Sequence, residues 1–143
     1  MKPAIGLLVV AMFCATVRAD DKADEWKKLA GTWKVDSATF NGNDATSTFK
    51  TAVLTIEEGK YKLVFGGTDA GTLEIDPTKE PKAMTIVGTD GPNKGKTILA
   101  IYEIDADTMK LCYALGGTKK APTEFKSTAE NKALLATYKR EKK

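Results

Sequence analysis

Histidine is absent from this chain of 143 residues, and cysteine occurs only at Cys14 and Cys112. Without histidine, the commonest general base and the commonest nitrogen ligand for metals are missing. Two cysteines are too few for a structural metal site built on several thiolates. Charge of one sign is not in excess either. The 22 basic side chains are mixed with 19 acidic ones, which leaves no basic footprint for nucleic acid. No apolar run reaches the roughly 20 residues that a membrane-spanning helix needs. Repeats and low-complexity tracts are also lacking.

What is there begins with Lys2, an apolar run from Ile5 to Phe13, and the small-residue stretch Ala15-Thr16-Val17-Arg18-Ala19. This order reads as a secretory signal over residues 1–19, cleaved after Ala19. Phe13 stands before Cys14, where a lipoprotein signal needs a small residue. Cleavage removes Lys2, Arg18 and Cys14, and lowers the formal charge from +3 to about +1. Cys112 is then alone, so no intramolecular disulfide can form, and an exported lone thiol is usually buried and inert. Roughly 124 residues remain as one domain, residues 20–143, able to bury a modest core. The expected location is periplasmic or extracellular.

After a polar start, Asp24 is placed to cap a short helix with Trp26, Leu29 and Ala30 on one face, ended by Gly31. The period then changes to two. Strands are predicted over Thr32–Phe40, Ala52–Glu58, Lys60–Phe65, Thr72–Asp76, Met84–Val87, Thr97–Ile104, Met109–Leu115 and Lys132–Arg140. Turns are predicted at Asn41–Asp44, Glu58-Gly59, Gly66–Gly71 and Asp105–Thr108. A loop falls between Pro77 and Pro81, another spans Gly88–Lys96, and a long connection runs from Gly116 to Asn131. Few connections are long enough for a crossover helix, so the sheet should be antiparallel. About eight such strands in one small domain form an all-β barrel or sandwich, preceded here by one short helix.

Several patterns imitate sites. Asp90-Gly91-Pro92-Asn93-Lys94-Gly95-Lys96-Thr97 ends like a phosphate-binding loop, but Asp90 replaces the first glycine and a strand follows instead of a helix. Asp105 and Asp107 lack the further oxygen ligands of a calcium loop and suit a hairpin turn. Cys112 has no histidine to activate it, and Ser37, Ser47 and Ser127 sit in no nucleophile elbow. Glu57, Glu58, Glu74, Asp76 and Glu103 read as charges on a solvent face rather than a catalytic pair. No catalytic, metal or cofactor residues are therefore assigned.

Gly31-Thr32-Trp33 opens the first strand just after the helix, and Tyr138-Lys139-Arg140 closes the last. This resembles the calycin pattern of lipocalins, which implies a barrel whose tryptophan is covered at one end by the terminal arginine. A guanidinium on an indole face gains cation–π attraction. In a closed antiparallel barrel of even strand number, the start of the first strand lies beside the end of the last. That places Trp33 and Arg140 at the same end. Leu29–Trp33, Leu73–Ala83, Gly95–Ile104, Asp107–Cys112 and Pro122–Ser127 also occur in the order seen in an uncharacterised domain family abundant in planctomycete bacteria. Over nearly the whole mature chain the sequence resembles that family, often written with arginine where Ala121 stands here. The resemblance implies a bacterial exported, lipocalin-like domain without a settled activity.

Tyr61, Leu63, Phe65, Leu73, Ile75, Met109, Leu111 and Tyr113 share the apolar phase of their strands. They form either a packed core or the lining of a ligand cavity, because a barrel of about eight strands has room for either. The leading expectation is a module binding a small apolar ligand. A filled barrel serving as an envelope interaction or structural domain is the alternative, and an enzyme using carboxylates or tyrosines comes last. N-terminal sequencing of the exported protein should start at Asp20; recovery of the uncleaved chain from the cytoplasm would contradict the signal.

Overall fold

The computed structural model describes residues 19–115 and 120–142. Residues 1–18 of the expected cleavage signal, Cys14 among them, fall outside the described residues, and Ala19 opens the first helix. Helix α1 (Ala19–Leu29) is followed by β1 (Gly31–Phe40), β2 (Asn43–Asp44), α2 (Thr46–Phe49), β3 (Val53–Glu57), β4 (Lys60–Val64) and β5 (Thr68–Asp76). Then come β6 (Lys82–Asp90), β7 (Thr97–Asp105), β8 (Thr108–Ala114) and β9 (Ala133–Arg140). The strands pair in chain order from β3 to β9, all antiparallel, and β1 pairs with both β3 and β9. Eight strands thus close into a barrel, with the short β2 added to the far end of β1. Closure leaves no open edge in the ring for another chain to extend.

The period-two alternation sets the inward face. Trp33, Ile56, Leu73, Met84, Leu111 and Tyr138 come from β1, β3, β5, β6, β8 and β9 and are all buried in one core. A second, smaller cluster lies on the outer face, where Ile101, Cys112 and Ala133 are covered by Phe125 and Leu135. Phe125 belongs to the long connection after β8, which at that residue packs on the barrel wall. Cys112 is fully buried there, and burial pushes its thiol pKa up.

One end of the barrel is closed by a tight set of contacts. Trp33 is fully buried, and its indole Nε1 donates to the Leu29 carbonyl at 2.9 Å. The Arg140 guanidinium lies 4.3 Å from the Trp33 ring centroid. Arg140 also donates to the Ala30 carbonyl at 2.6 Å and to the Lys28 carbonyl, and pairs with Asp107 at 3.2 Å. Carbonyls at a helix C-terminus lack intrahelical partners, so Arg140 caps α1 while it covers the indole. Gly31 makes this possible. Its φ is +137°, and a Cβ there would stand 2.7 Å from an Arg140 nitrogen.

The helix is held from its other side by Glu25, which is buried at 4% exposure. Its carboxylate accepts from Lys82 at 2.8 Å and from the Tyr102 hydroxyl at 2.9 Å, with Lys28 at 3.7 Å. Burial opposes the Glu25 charge, but the hydrogen bonds from Lys82 and Tyr102 and the lysine charges outweigh it and hold the carboxyl below its usual range.

The structure corrects several sequence expectations. α1 is already helical before Asp24, so Asp24 is not its cap but an internal residue 3.9 Å from Lys27. β5 begins at Thr68, inside the stretch read as a turn, and β6 runs nine residues rather than four. The short β2 and α2 occupy the connection after β1, where the sequence predicts a turn at Asn41–Asp44. Glycine density caused the β5 error: Gly71 looks like a turn residue but is a strand position that admits no side chain. A Cβ on Gly71 would lie 2.0 Å from the Val87 carbonyl oxygen and 2.8 Å from the Tyr61 ring.

Arg140→Ala should cost about 2 kcal/mol of stability, since it removes both the cation–π contact and charged hydrogen bonds. The loss should shrink by about 1 kcal/mol when Trp33 is already leucine, read from urea unfolding of the four proteins in the cycle. Equal losses in both backgrounds would show that the two residues are uncoupled.

Candidate functional site

Away from Trp33, the inward side chains do not fill the barrel. They leave a cavity of about 240 Å³ that opens at the end opposite α1. Its wall is mainly aliphatic and aromatic. Small residues create the space: Ala52 and Ala136 line it where larger side chains would close it. Of the residues singled out from sequence, Tyr61, Leu63, Phe65, Leu73, Leu111 and Tyr113 line this cavity. Ile75 and Met109 share the inward phase but not the cavity. They are buried in the packed core at 3% and 0% exposure, farther along their strands toward the closed end. Trp33 and Arg140 likewise belong to that end.

Two loop elements shape the mouth. Phe49 of α2 stacks on Phe65 of the β4–β5 turn, with ring centroids 5.2 Å apart. Across from them, the Gly91–Lys96 loop folds back on β6. The Gly88 N–H donates to the Lys96 carbonyl at 3.0 Å, and the Gly95 N–H donates to the Gly88 carbonyl at 2.9 Å. Only glycine fits at 88, because a Cβ would lie 1.9 Å from the Asn93 carbonyl oxygen. The segment that imitates a phosphate loop is therefore the mouth loop, and the strand β7 follows it.

This loop delivers Asn93 into the barrel. Its amide Nδ2 donates to Asp69 Oδ2 at 2.9 Å, and its backbone N–H donates to Asp69 Oδ1 at 3.4 Å. The Tyr61 hydroxyl donates to the same Oδ2 at 3.2 Å. Asp69 is buried at 7% exposure. Deeper in the wall, the hydroxyls of Tyr113 and Tyr138 share a hydrogen bond of 2.8 Å. The cavity is thus apolar with two polar points, a Tyr61–Asp69–Asn93 group near the mouth and a tyrosine pair.

Sequence reasoning missed Asp69, Asn93 and Tyr138 as lining residues. A signal existed for Asp69. It lies in phase with Gly71, Leu73 and Ile75, so extending the alternation backward from Leu73 puts it on the inner face. Asn93 gave none, because a loop residue has no periodicity to betray its direction.

The phenols respond strongly to this environment. Burial, then the Asp69 charge and hydrogen bond, push Tyr61 up to about 12. Burial pushes Tyr138 up to about 12, and Tyr113 is raised by burial and by Tyr138. At the closed end, burial and the Glu25 charge raise Tyr102. The described residues hold no group of three or more potential metal ligands. Among the described residues, no helix is long and apolar enough to cross a membrane.

All four tyrosines are therefore raised above the value of about 10 that they have when unfolded. Stability linked to a raised phenol is intact below about pH 10 and is lost as pH climbs through the folded value near 12. Absorbance at 295 nm should show little phenolate at pH 10 in the folded protein. In urea about half of the tyrosines should be ionised at that pH. A half-ionised folded protein at pH 10 would contradict the buried hydroxyl arrangement. No family model, curated protein or solved structure matches this chain.

Proposed function

We propose that this chain is an exported, lipocalin-like barrel that binds a small, largely apolar molecule. The observation that carries the reading is the cavity itself: about 240 Å³, apolar on most of its wall and open at one end, in a barrel whose other end is packed and closed by Arg140 over Trp33. Ligand pockets are typically concave, mostly apolar and furnished with a few placed polar groups, and this one follows that pattern at a volume just below the usual range. A cavity of about 150 Å³ accommodates benzene, so by proportion this one suits roughly nine or ten heavy atoms. The export part rests on the signal-like residues 1–19 and places the protein in the periplasm or outside the cell.

The chemistry of the wall favours binding over catalysis. Tyrosines with raised pKa values are poor general bases near neutral pH. Of the five carboxylates read as solvated charges, Glu57, Glu58, Glu74 and Glu103 are exposed, while Asp76 is half-buried and accepts from the Thr78 N–H and hydroxyl.

n-Propylbenzene is a suitable probe of the apolar chamber. At saturating concentration it should raise the thermal midpoint of the wild type by a few degrees, because a ligand that binds only the folded state stabilises it. Ile98→Trp places bulk into the cavity from a half-buried position on its wall and should abolish that rise while leaving the unliganded midpoint nearly unchanged. An equal rise in both proteins would mean that the probe binds elsewhere.

A further inference from the structure

Among the described residues, two carboxylates are buried, and the chain treats them differently. Glu25 at the closed end has the Lys82 ammonium at 2.8 Å and the Lys28 ammonium at 3.7 Å. Asp69 in the cavity wall takes only neutral donors: the Tyr61 hydroxyl, the Asn93 amide and the Asn93 backbone N–H. Among the described residues, no lysine or arginine forms an ion pair with it. A buried charge is costly unless it is paired, and neutral hydrogen bonds compensate it only in part. The same cavity is lined by the rings of Tyr61, Tyr113, Phe49 and Phe65. Aromatic faces attract cations that approach within about 6 Å of the ring centre. A carboxylate beside aromatic rings, over an apolar chamber, is the chemistry that recognises an organic ammonium.

We propose that the ligand is a small organic amine, with its ammonium against Asp69 and its apolar body toward Ile56, Met84 and Leu111. This rests on the cavity-binding reading above and names the ligand class for it. The ammonium supplies the cation that the chain gives to Glu25 and withholds from Asp69. It approaches the oxygen to which Asn93 Nδ2 donates, so Asn93 competes with the ligand head for Oδ2. Because Asn93 sits on the mouth loop, the same exchange removes one of the loop's ties to the barrel wall, while its backbone bonds to Gly88 and to Asp69 Oδ1 remain.

Three probes of matched size test this: 2-phenylethylamine, 2-phenylethanol and n-propylbenzene, titrated calorimetrically at neutral pH. The amine should bind at least about tenfold more tightly than the alcohol, a difference of about 1.4 kcal/mol. Asp69→Asn keeps an acceptor for Tyr61 and should erase the preference while n-propylbenzene still binds. Asn93→Ala leaves the carboxylate intact and should tighten the amine severalfold. If Asp69→Asn does not fold, the wild-type amine-to-alcohol ratio and the Asn93→Ala gain decide the matter. Equal affinities for all three probes, all lost in Ile98→Trp, would overturn the amine assignment and leave the cavity reading standing. Failure of every probe to bind would overturn both.

Discussion

Arg140 joins parts of the chain that are more than a hundred residues apart. Its guanidinium covers the Trp33 ring, caps the carbonyls of Lys28 and Ala30 at the end of α1, and pairs with Asp107 in the β7–β8 turn. Each of those partners lies on a different element, so one side chain fixes the first strand, the last strand, the helix and a hairpin to one another. The cation sits where helix carbonyls concentrate negative potential and where the indole face is negative, so both attractions act on the same charge. Gly31 is the steric condition for that geometry, and Trp33 is the floor on which the rest of the core stacks.

The two ends of the barrel consequently have opposite characters. At the closed end, Trp33, Met109 and Leu29 leave no exposed area, and the buried Glu25 is compensated by Lys82, Lys28 and Tyr102. At the open end, small side chains such as Ala52 and Ala136 leave space, and the polar groups are held by short loops. Tight packing at one end supplies the stability that permits an imperfectly filled interior at the other, since a cavity carries a cost that grows with its volume. The mouth loop is tied down by hydrogen bonds to Gly88 and Asp69 rather than by apolar burial, which makes it the least costly element to displace.

Much of this was legible in the sequence because the period-two pattern reports side-chain direction strand by strand. The alternation around Tyr61, Leu73 and Leu111 placed them inside, and the positions of Trp33 and Arg140 at the two chain ends of the barrel put them together. Depth along the barrel was not legible. Periodicity says which face a residue is on but not how far along the axis it lies, so Ile75 and Met109 were grouped with the cavity although they sit in the packed core. Glycines misled for a related reason. Gly71 and Gly88 are required by close approach of the Val87 and Asn93 carbonyls, a tertiary contact that has no local signature and looks the same as a turn. Asn93 and α2 escaped because loops at a barrel mouth take their conformation from the strands they bridge.

A binding barrel must carry a guest in its natural setting. Native mass spectrometry of the protein purified from its own host is the most direct measurement. A wild-type species carrying one small organic adduct of roughly 100–200 Da, the mass suited to about ten heavy atoms, is the result the cavity calls for. The adduct should be missing from Ile98→Trp prepared in the same way. Wild-type protein with no adduct, or an adduct retained undiminished by Ile98→Trp, would contradict it.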